Sequence, residues 1–494
     1  MGYQPTIGLE IHAELKTKTK MFCDSLNDPN EAHPNINVCP VCMGHPGILP
    51  VANKEAIRHV LRIGLALDGT ISEYSQFDRK NYFYPDLPKG YQISQYKHPF
   101  VEHGKLYLSK VQKEIRITRV HLEEDAGKLV HEKQATLVDF NRAGVPLMEM
   151  VTEPDFTSAS EVREFSEEFQ RLLRYLGASD ADMEKGQLRI EANISLLPAD
   201  NFQTNANDQT SKIKLGTKVE VKNLNSFRAV ERAITYEIKR QGELLEKGEK
   251  VTQETRGWDE EKQKTFSQRS KEEAHDYRYF PEPDLPPVYP HKEFDIEILK
   301  AELPELPYQR RARLTAEYGL SDDALIMALD DTAFLAFLEA GLSELSEWVT
   351  GGNKEKIKKT ALNYLTSDLR GIVKEKEIPW GELLVTPENF AELIKMIHAN
   401  EVSSRVAKDV LLEMVEKGGD PSQIVDEKGL RQVSDTGELE KIIKKIIEEN
   451  PDAVADIKKG KENAFKFLVG QTMRATKGSA NPAMLQELLK KMLS

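Results

Sequence analysis

Near its start the chain reads Gly8-Leu9-Glu10-Ile11-His12-Ala13-Glu14-Leu15. In an extended strand alternate side chains share a face, so Glu10, His12 and Glu14 stand together and Leu9, Ile11, Ala13 and Leu15 point the other way. Two carboxylates flanking an imidazole suit a divalent cation; ordinary polar-out alternation is the competing account. A second acidic run, His121-Leu122-Glu123-Glu124-Asp125-Ala126-Gly127-Lys128, ends a strand at a glycine turn. Three consecutive acids repel one another unless a cation or a basic partner relieves them. A third piece, Val145-Pro146-Leu147-Met148-Glu149-Met150-Val151, is an apolar strand interrupted by one glutamate, and a buried carboxylate needs a partner, for which a metal is suited. Cys39-Pro40-Val41-Cys42 has zinc-knuckle spacing with Cys23 upstream, and His33, His45 or Asp24 could complete a tetrahedral set. A metal-free loop is the alternative, and a redox pair is the third, although it lacks a thioredoxin-like βαβ setting.

These residues need elements to hold them. Alternating, β-branched segments at 7–15, 114–122, 135–140, 147–151, 188–196 and 218–221 predict strands, and helical periodicity predicts helices at about 55–67, 159–176 and 226–248. The prolines at 281, 283, 286, 287 and 290 fit neither a helix interior nor a central strand and read as a linker. The expected class is therefore α+β. A mainly β N-terminal domain spans 1–292, and an all-α domain spans 293–404, with helix starts at Ser321-Asp322-Asp323 and Thr386-Pro387-Glu388. A fresh cap at Ser403-Ser404 opens a small all-α tail, 405–494, in which Val406, Val410, Leu411 and Met414 share one helical face until Gly418-Gly419-Asp420-Pro421 stops it.

The 494 residues exceed one hydrophobic core. No run approaches the ~20 apolar residues of a membrane span, the N-terminus lacks a secretory pattern, and three clustered cysteines make no disulfide framework, all of which fits a reducing cytoplasm. A net charge of −13 argues against indiscriminate nucleic-acid binding. From Lys441 to Ser494, however, eleven Lys/Arg face six Asp/Glu, a local net of +5. That segment is either a solvated basic helix surface or a tail that touches an RNA backbone through Lys458, Lys459, Lys461, Arg474 and Lys477. Neither GxxxxGK[ST] nor GxGxxG occurs, so a nucleotide would be held by carboxylates and a metal rather than a glycine-rich cradle. No GxSxG elbow, amidase signature or N-terminal cysteine equips the chain to release ammonia from glutamine.

GLEIHAEL, FDRKNYFYPDLPKGYQIS, HLEEDAGK, DFNRAGVPLMEM with TEPD, EVKNLNSF, ETRGWD, DYRYFPEPDLPP and FLVGQTMRATKGSANP run in order over essentially the whole chain. Together they resemble the signature stretches of the B-subunit family of tRNA-dependent aspartyl/glutamyl amidotransferases. The resemblance implies a cradle-like N-terminal kinase domain, a helical tRNA-binding domain and a tRNA-contacting tail. It implies a carbon–nitrogen ligase that uses ATP and Mg2+ to phosphorylate the side-chain carboxylate of misacylated Glu-tRNA(Gln) or Asp-tRNA(Asn). Ammonia would then arrive from a glutaminase, the A subunit, in a heterotrimer that also holds a small C subunit. Carried over residue by residue, the magnesium site maps to His12, Glu124 and Glu149, with Glu10 and Glu123 beside it. Glu191 stands where members often carry Asp, as a contact to a second ion. Lys80 and Lys89 fall where lysines line or gate the ammonia tunnel, although alone they read as surface lysines in a turn-rich loop, and Asp78, Arg79 and Lys80 as a structural ion pair. Ser25 stands where many members have a fourth cysteine, which weakens a Zn2+ site at Cys23, Cys39 and Cys42. Two rival functions remain: a non-catalytic scaffold holding aminoacyl-tRNA for a partner, and a free-standing metallohydrolase built on the same acids.

Overall fold

The computed structural model describes residues 2–198, 215–270, 277–348, 354–432, 436–458, 461–476, 480 and 482–493. The chain divides into two compact units, Met1–Arg310 and Arg311–Ser494. The class is α+β, with a large mixed sheet in the first unit and helices in the second.

In chain order the strands are β1 (Tyr3–Glu14), β2 (Thr70–Ile71), β3 (Asp78–Asn81), β4 (Tyr91–Ser94), β5 (Val101–Leu108), β6 (Lys113–Glu124), β7 (Lys128–His131), β8 (Thr136–Asp139), β9 (Pro146–Thr152), β10 (Leu188–Pro198), β11 (Val219–Leu224), β12 (Glu254–Asp259), β13 (Lys264–Ser270) and β14 (Phe280–Pro281). Nine form one sheet in the order β13-β12-β11-β10-β1-β9-β6-β5-β2, parallel only between β11 and β12. Two helices open on side-chain caps where Ser and Asn are expected to start them: α1 (Lys54–Ala66) on Asn53 and α2 (Ala159–Tyr175) on Ser158. The third, α3 (Phe227–Glu246), opens on Ser226. Their apolar faces, with Ile57, Val60, Phe165, Phe169, Val230 and Ile234, share one buried cluster with Leu9, Ile11, Leu122, Met148, Met150, Ile190 and Ile194 of the sheet. One sheet face is thus covered, which leaves the alternate residues of β1, β6, β9 and β10 on the other.

The proline-rich segment is not a free linker. Phe280 and Pro281 pair with Arg79 and Asp78 on a sheet edge, where proline's missing N–H is tolerated. Leu285, Val288, Phe294, Leu299 and Leu306 then enter the first core, which carries this unit to Arg310.

In the second unit Ser321, Thr386 and Ser403 each cap a helix. Helix Ser404–Lys417 places Val406, Val410, Leu411 and Met414 in the same cluster as Leu338, Leu365, Phe390 and Ile394. A further cluster, built from Leu439, Ile443, Leu468, Leu485 and Leu489, begins only after residue 438. The change of core therefore falls later than 405, because the apolar face after Ser404 is absorbed by the helices before it.

Candidate functional site

The uncovered face of the sheet carries the chemistry. Register sets Glu149 of β9 directly between His12 of β1 and His121 of β6, and sets Glu10 opposite Glu191 of β10. Residues opposite one another in antiparallel strands point to the same side, so these side chains converge. Glu149 Oε2 lies 3.4 Å from His12 Nε2 and 3.3 Å from His121 Nε2. His12 Nε2 also lies 3.8 Å from both Glu10 and Glu123. Glu123 accepts a 2.9 Å hydrogen bond from the Ser94 hydroxyl, and Glu123 and Glu149 are 2% and 5% exposed. Around Glu149, among the described residues, two groups have ligand atoms close enough to share one cation: Glu10, His12 and Glu149, and His121, Glu123 and Glu149.

Burial and charge pull against each other here. Burial opposes the His12 imidazolium, but hydrogen bonding and charge from Glu149, then Glu123 and Glu10, lift its pKa to about 9. Burial disfavours the Glu149 anion as well, yet His121 and His12 hold that carboxyl well below its usual range. Glu10 is pushed up to about 7 by burial, then by Glu149 and Glu191. An added cation would relieve this crowding, since it substitutes for the protons that keep the acids apart. Burial opposes the Lys80 ammonium, but Glu123, Tyr279 and Glu149 hold its pKa above the usual lysine value. The Lys80 ammonium lies 5.2 Å from the ring centre of Tyr277. Neighbouring Arg79 makes a bidentate pair with buried Glu282, at 2.7 and 2.8 Å, and not with Asp78, which instead accepts the Tyr96 N–H.

Glu124 is not brought to His12 and Glu149. It follows Glu123 on β6 and so projects from the opposite face, where Lys89 Nζ binds its Oε2 at 2.7 Å and the Ile93 N–H its Oε1 at 3.0 Å. Glu123 takes the position by His12 that the resemblance gives to Glu124, and His121 joins as a donor absent from the expected set. The period of two in His121-Leu122-Glu123 is the signal for both. Glu191 lies with Glu10 and Glu220, but Lys222 already supplies a cation there, 2.7 Å from Glu191.

The pocket lined by Lys89 and Glu124 is also lined by Cys23 and Cys42. Cys23, Cys39 and Cys42 gather their sulfurs within 4.8 Å of one another, and the Ser25 hydroxyl lies 3.8 Å from Cys42 Sγ. No His, Asp or Glu joins the group among the described residues. Lys20, fully buried, places its ammonium 3.8 Å from Cys42 Sγ. Hydrogen bonding from Cys23 leads the causes that lower the Cys42 pKa to about 4. Of the basic tail residues, Lys461 pairs with Asp456 at 3.0 Å and Arg474 lies in the last turn of Glu462–Ala475. Lys459 and Lys477 lie outside the described residues, as does the side chain of Lys458.

Comparison with known proteins places this geometry in a family. The GatB/GatE catalytic domain pattern matches residues 5–295, and the GatB domain pattern matches residues 346–493. The B subunit of an aspartyl/glutamyl-tRNA(Asn/Gln) amidotransferase from Thermotoga maritima is 46% identical over 100% of this chain and 99% of its own length. Its counterparts from Persephonella marina and Gloeothece citriformis are 46% and 45% identical, over 100% and 99% of this chain and 100% and 98% of their own. The chain belongs to the amidotransferase B-subunit family. The acidic cluster, the Lys89–Glu124 pair and the thiol group all lie inside the segment matched as the family's catalytic domain. The basic residues of the tail lie inside the second matched segment. Among the described residues no helix is long and apolar enough to cross a membrane.

Proposed function

We propose that this chain is the B subunit of a tRNA-dependent amidotransferase, a glutamine-hydrolysing carbon–nitrogen ligase that makes Gln-tRNA(Gln) or Asn-tRNA(Asn) from the misacylated Glu- or Asp-tRNA. The observation that carries the reading is the convergence of Glu10, His12, His121, Glu123 and Glu149 on one sheet face. A carboxylate resists attack by ammonia until it gains a leaving group. Transfer of the γ-phosphoryl group of ATP to the tRNA-linked carboxylate supplies one, and ammonia then displaces phosphate.

The donor set fits magnesium, because carboxylate oxygens dominate it. Glu10, His12 and Glu149 would hold the ion, with Glu123 beside them; when bound, it would neutralise charge on the phosphates. His121 and the Ser94 hydroxyl fix Glu149 and Glu123 in place. No nucleophile of the glutaminase type occurs in the sequence, so ammonia release is assigned to a separate glutaminase, the A subunit of a cytoplasmic heterotrimer whose third member is a small C subunit. Lys89, locked on Glu124, and Lys80 are assigned to the ammonia entrance. The basic tail is assigned to tRNA phosphates, which give affinity without sequence readout.

The test is ATP turnover by the assembled enzyme. Hydrolysis that requires both a divalent metal and misacylated tRNA supports the reading. Turnover without tRNA would favour a free-standing metallohydrolase, and no turnover attributable to this chain would favour a tRNA-holding scaffold.

A further inference from the structure

The three thiols of the first unit take no part in phosphoryl transfer. Cys39 and Cys42 stand three residues apart in a turn that the Met43 N–H closes on the Cys39 carbonyl at 3.0 Å. Residues at that spacing in a turn share one side, and the two Sγ atoms lie 3.9 Å apart. A disulfide needs them at about 2 Å, so side-chain rotation with a small shift of the turn brings them into bonding range. The Ser25 hydroxyl beside Cys42 is a poor fourth ligand for zinc, whereas a thiol pair needs only an oxidant.

The two sulfurs are set differently. Cys39 is half-buried, and Cys42 is 3% exposed. Cys42 Sγ has the ammonium of fully buried Lys20 at 3.8 Å and the Cys39 N–H at 3.1 Å. A positive charge and an N–H at a sulfur favour its thiolate, the form that attacks an oxidised sulfur. An accessible thiol next to a resolving thiolate is the pairing of an oxidant-sensing group.

The same turn rests on the Lys89–Glu124 pair. Gly44, φ 67°, lies so close to Lys89 that a Cβ there would stand 2.6 Å from Lys89 Cγ. A Cβ on Gly144, φ 87°, would stand 3.4 Å from Cys42 Cβ and 3.8 Å from Glu124 Oε2. Movement of Cys42 toward Cys39 therefore reaches Lys89 and Glu124 through two glycines that have no side chain to absorb it.

We propose that Cys39 and Cys42 form a reversible disulfide when the protein meets a hydroperoxide, and that this disulfide slows amidation by displacing Lys89 from Glu124. The second half rests on the reading that places Lys89 at the ammonia entrance. The Cys39 sulfur attacks the terminal oxygen of the hydroperoxide. An S–O bond forms, the O–O bond breaks, and the alkoxide leaves as alcohol with the proton of the Cys39 thiol. The Cys42 thiolate then attacks the Cys39 sulfenic sulfur, the S–S bond forms and hydroxide leaves. Two thiols are oxidised by two electrons in all, and the hydroperoxide is reduced to alcohol and hydroxide. Lys20 is left facing a neutral sulfur, with the Phe140 carbonyl at 3.1 Å as its acceptor.

The experiment takes the assembled, fully reduced enzyme with ammonium salt as nitrogen donor, treats it with tert-butyl hydroperoxide, and then alkylates the free thiols. Trypsin leaves all three cysteines on one peptide, Met21–Lys54, and cleavage after Glu31 separates Cys23 from the other two. The expected product carries the alkyl label on Cys23, with the Cys39–Cys42 peptide unlabelled and two hydrogens lighter. Amidation at limiting ammonium should fall roughly tenfold, within the ~10²-fold that a displacement of ~1 Å can cost, and return with dithiothreitol. Cys39→Ser, which keeps Cys42 beside Lys20, should amidate at the parent rate and resist the oxidant, while Cys23→Ser should be slowed as the parent is. Labelled Cys39 and Cys42 after oxidation overturn the proposal. So do a Cys23–Cys42 disulfide, a Cys39–Cys42 disulfide that leaves amidation unchanged, and zinc that co-purifies with the enzyme and is lost in Cys39→Ser. Failure of the underlying reading looks different: the disulfide would form and slow amidation with KM for ammonium unmoved, which takes Lys89 away from the ammonia entrance.

Discussion

Glu123 and Glu124 are neighbours on one strand, yet they serve two different regions. On one face Glu123 joins Glu10, Glu149 and two imidazoles in a cluster where acids outnumber fixed positive charges at hydrogen-bond distance. On the other face Glu124 is saturated by one lysine and one backbone N–H, beside a thiol group that has its own buried lysine. The first region crowds acids that an added cation would relieve; the second already contains two lysine side chains. Identical side chains one residue apart thus acquire opposite electrostatic roles from the pleat alone.

The contrast should show most strongly in variants of the first region. Glu149→Gln, His12→Ala and Glu123→Gln are each expected to cut amidation by roughly 10² to 10³, the scale for removing one electrostatic stabiliser of a transition state. Glutamine hydrolysis by the assembled enzyme should stay largely intact, since that step is assigned to a separate subunit. Normal transamidation by these variants would remove the cluster from the mechanism. At the second region the larger effect is on stability. Lys89→Met leaves Glu124 charged and buried, and should destabilise the protein by about 3 kcal/mol in denaturant titration, whereas Glu124→Gln should leave the magnesium requirement of ATP turnover where it was. A shifted magnesium requirement in Glu124→Gln would return that residue to the metal site.

Much of this is legible in the sequence. The grouping of Glu10 with His12, the isolated Glu149 and the capped helices all follow from period and capping, and so does a strand around each of these site residues. The choice between Glu123 and Glu124 is legible too, in the alternation from His121, but family position points to the other acid. What cannot be read is long-range. The bidentate clasp of Arg79 on Glu282 joins residues about 200 apart in sequence, and it turns a proline-rich stretch into part of the first unit. β5 escapes the pattern because His103 takes a left-handed conformation, φ 58°, next to Gly104 and blurs the alternation. β12 and β13 escape it because polar residues dominate them and their pairing is set by neighbours.

Smaller effects are expected further along the chain. Removing residues 433–494 should weaken binding of misacylated tRNA and flatten its salt dependence by roughly 0.7 to 0.9 in log-log slope for each phosphate that is no longer neutralised. Unchanged affinity and slope would make the tail a solvated surface. A cut near residue 405 is a poorer test, because it strips Val406, Val410, Leu411 and Met414 from the preceding helices and should unfold them. The smallest effect concerns the thiols: with Lys20 balancing Cys42, a strong zinc chelator should leave the melting temperature unmoved, and a clear drop would show that Cys23, Cys39 and Cys42 hold structural zinc.

Everything assigned to the cluster around Glu149 comes down to one event, attack of the tRNA-linked carboxylate on ATP. Misacylated tRNA carrying 18O in the side-chain carboxylate reports on that event, with the inorganic phosphate released during amidation analysed by mass spectrometry and ammonium salt supplied so that the glutaminase step is bypassed. The expected result is one 18O in phosphate for each amidated tRNA, and neither labelled phosphate nor product with Glu149→Gln. Phosphate free of 18O, or label transfer undiminished by Glu149→Gln, would overturn the assignment.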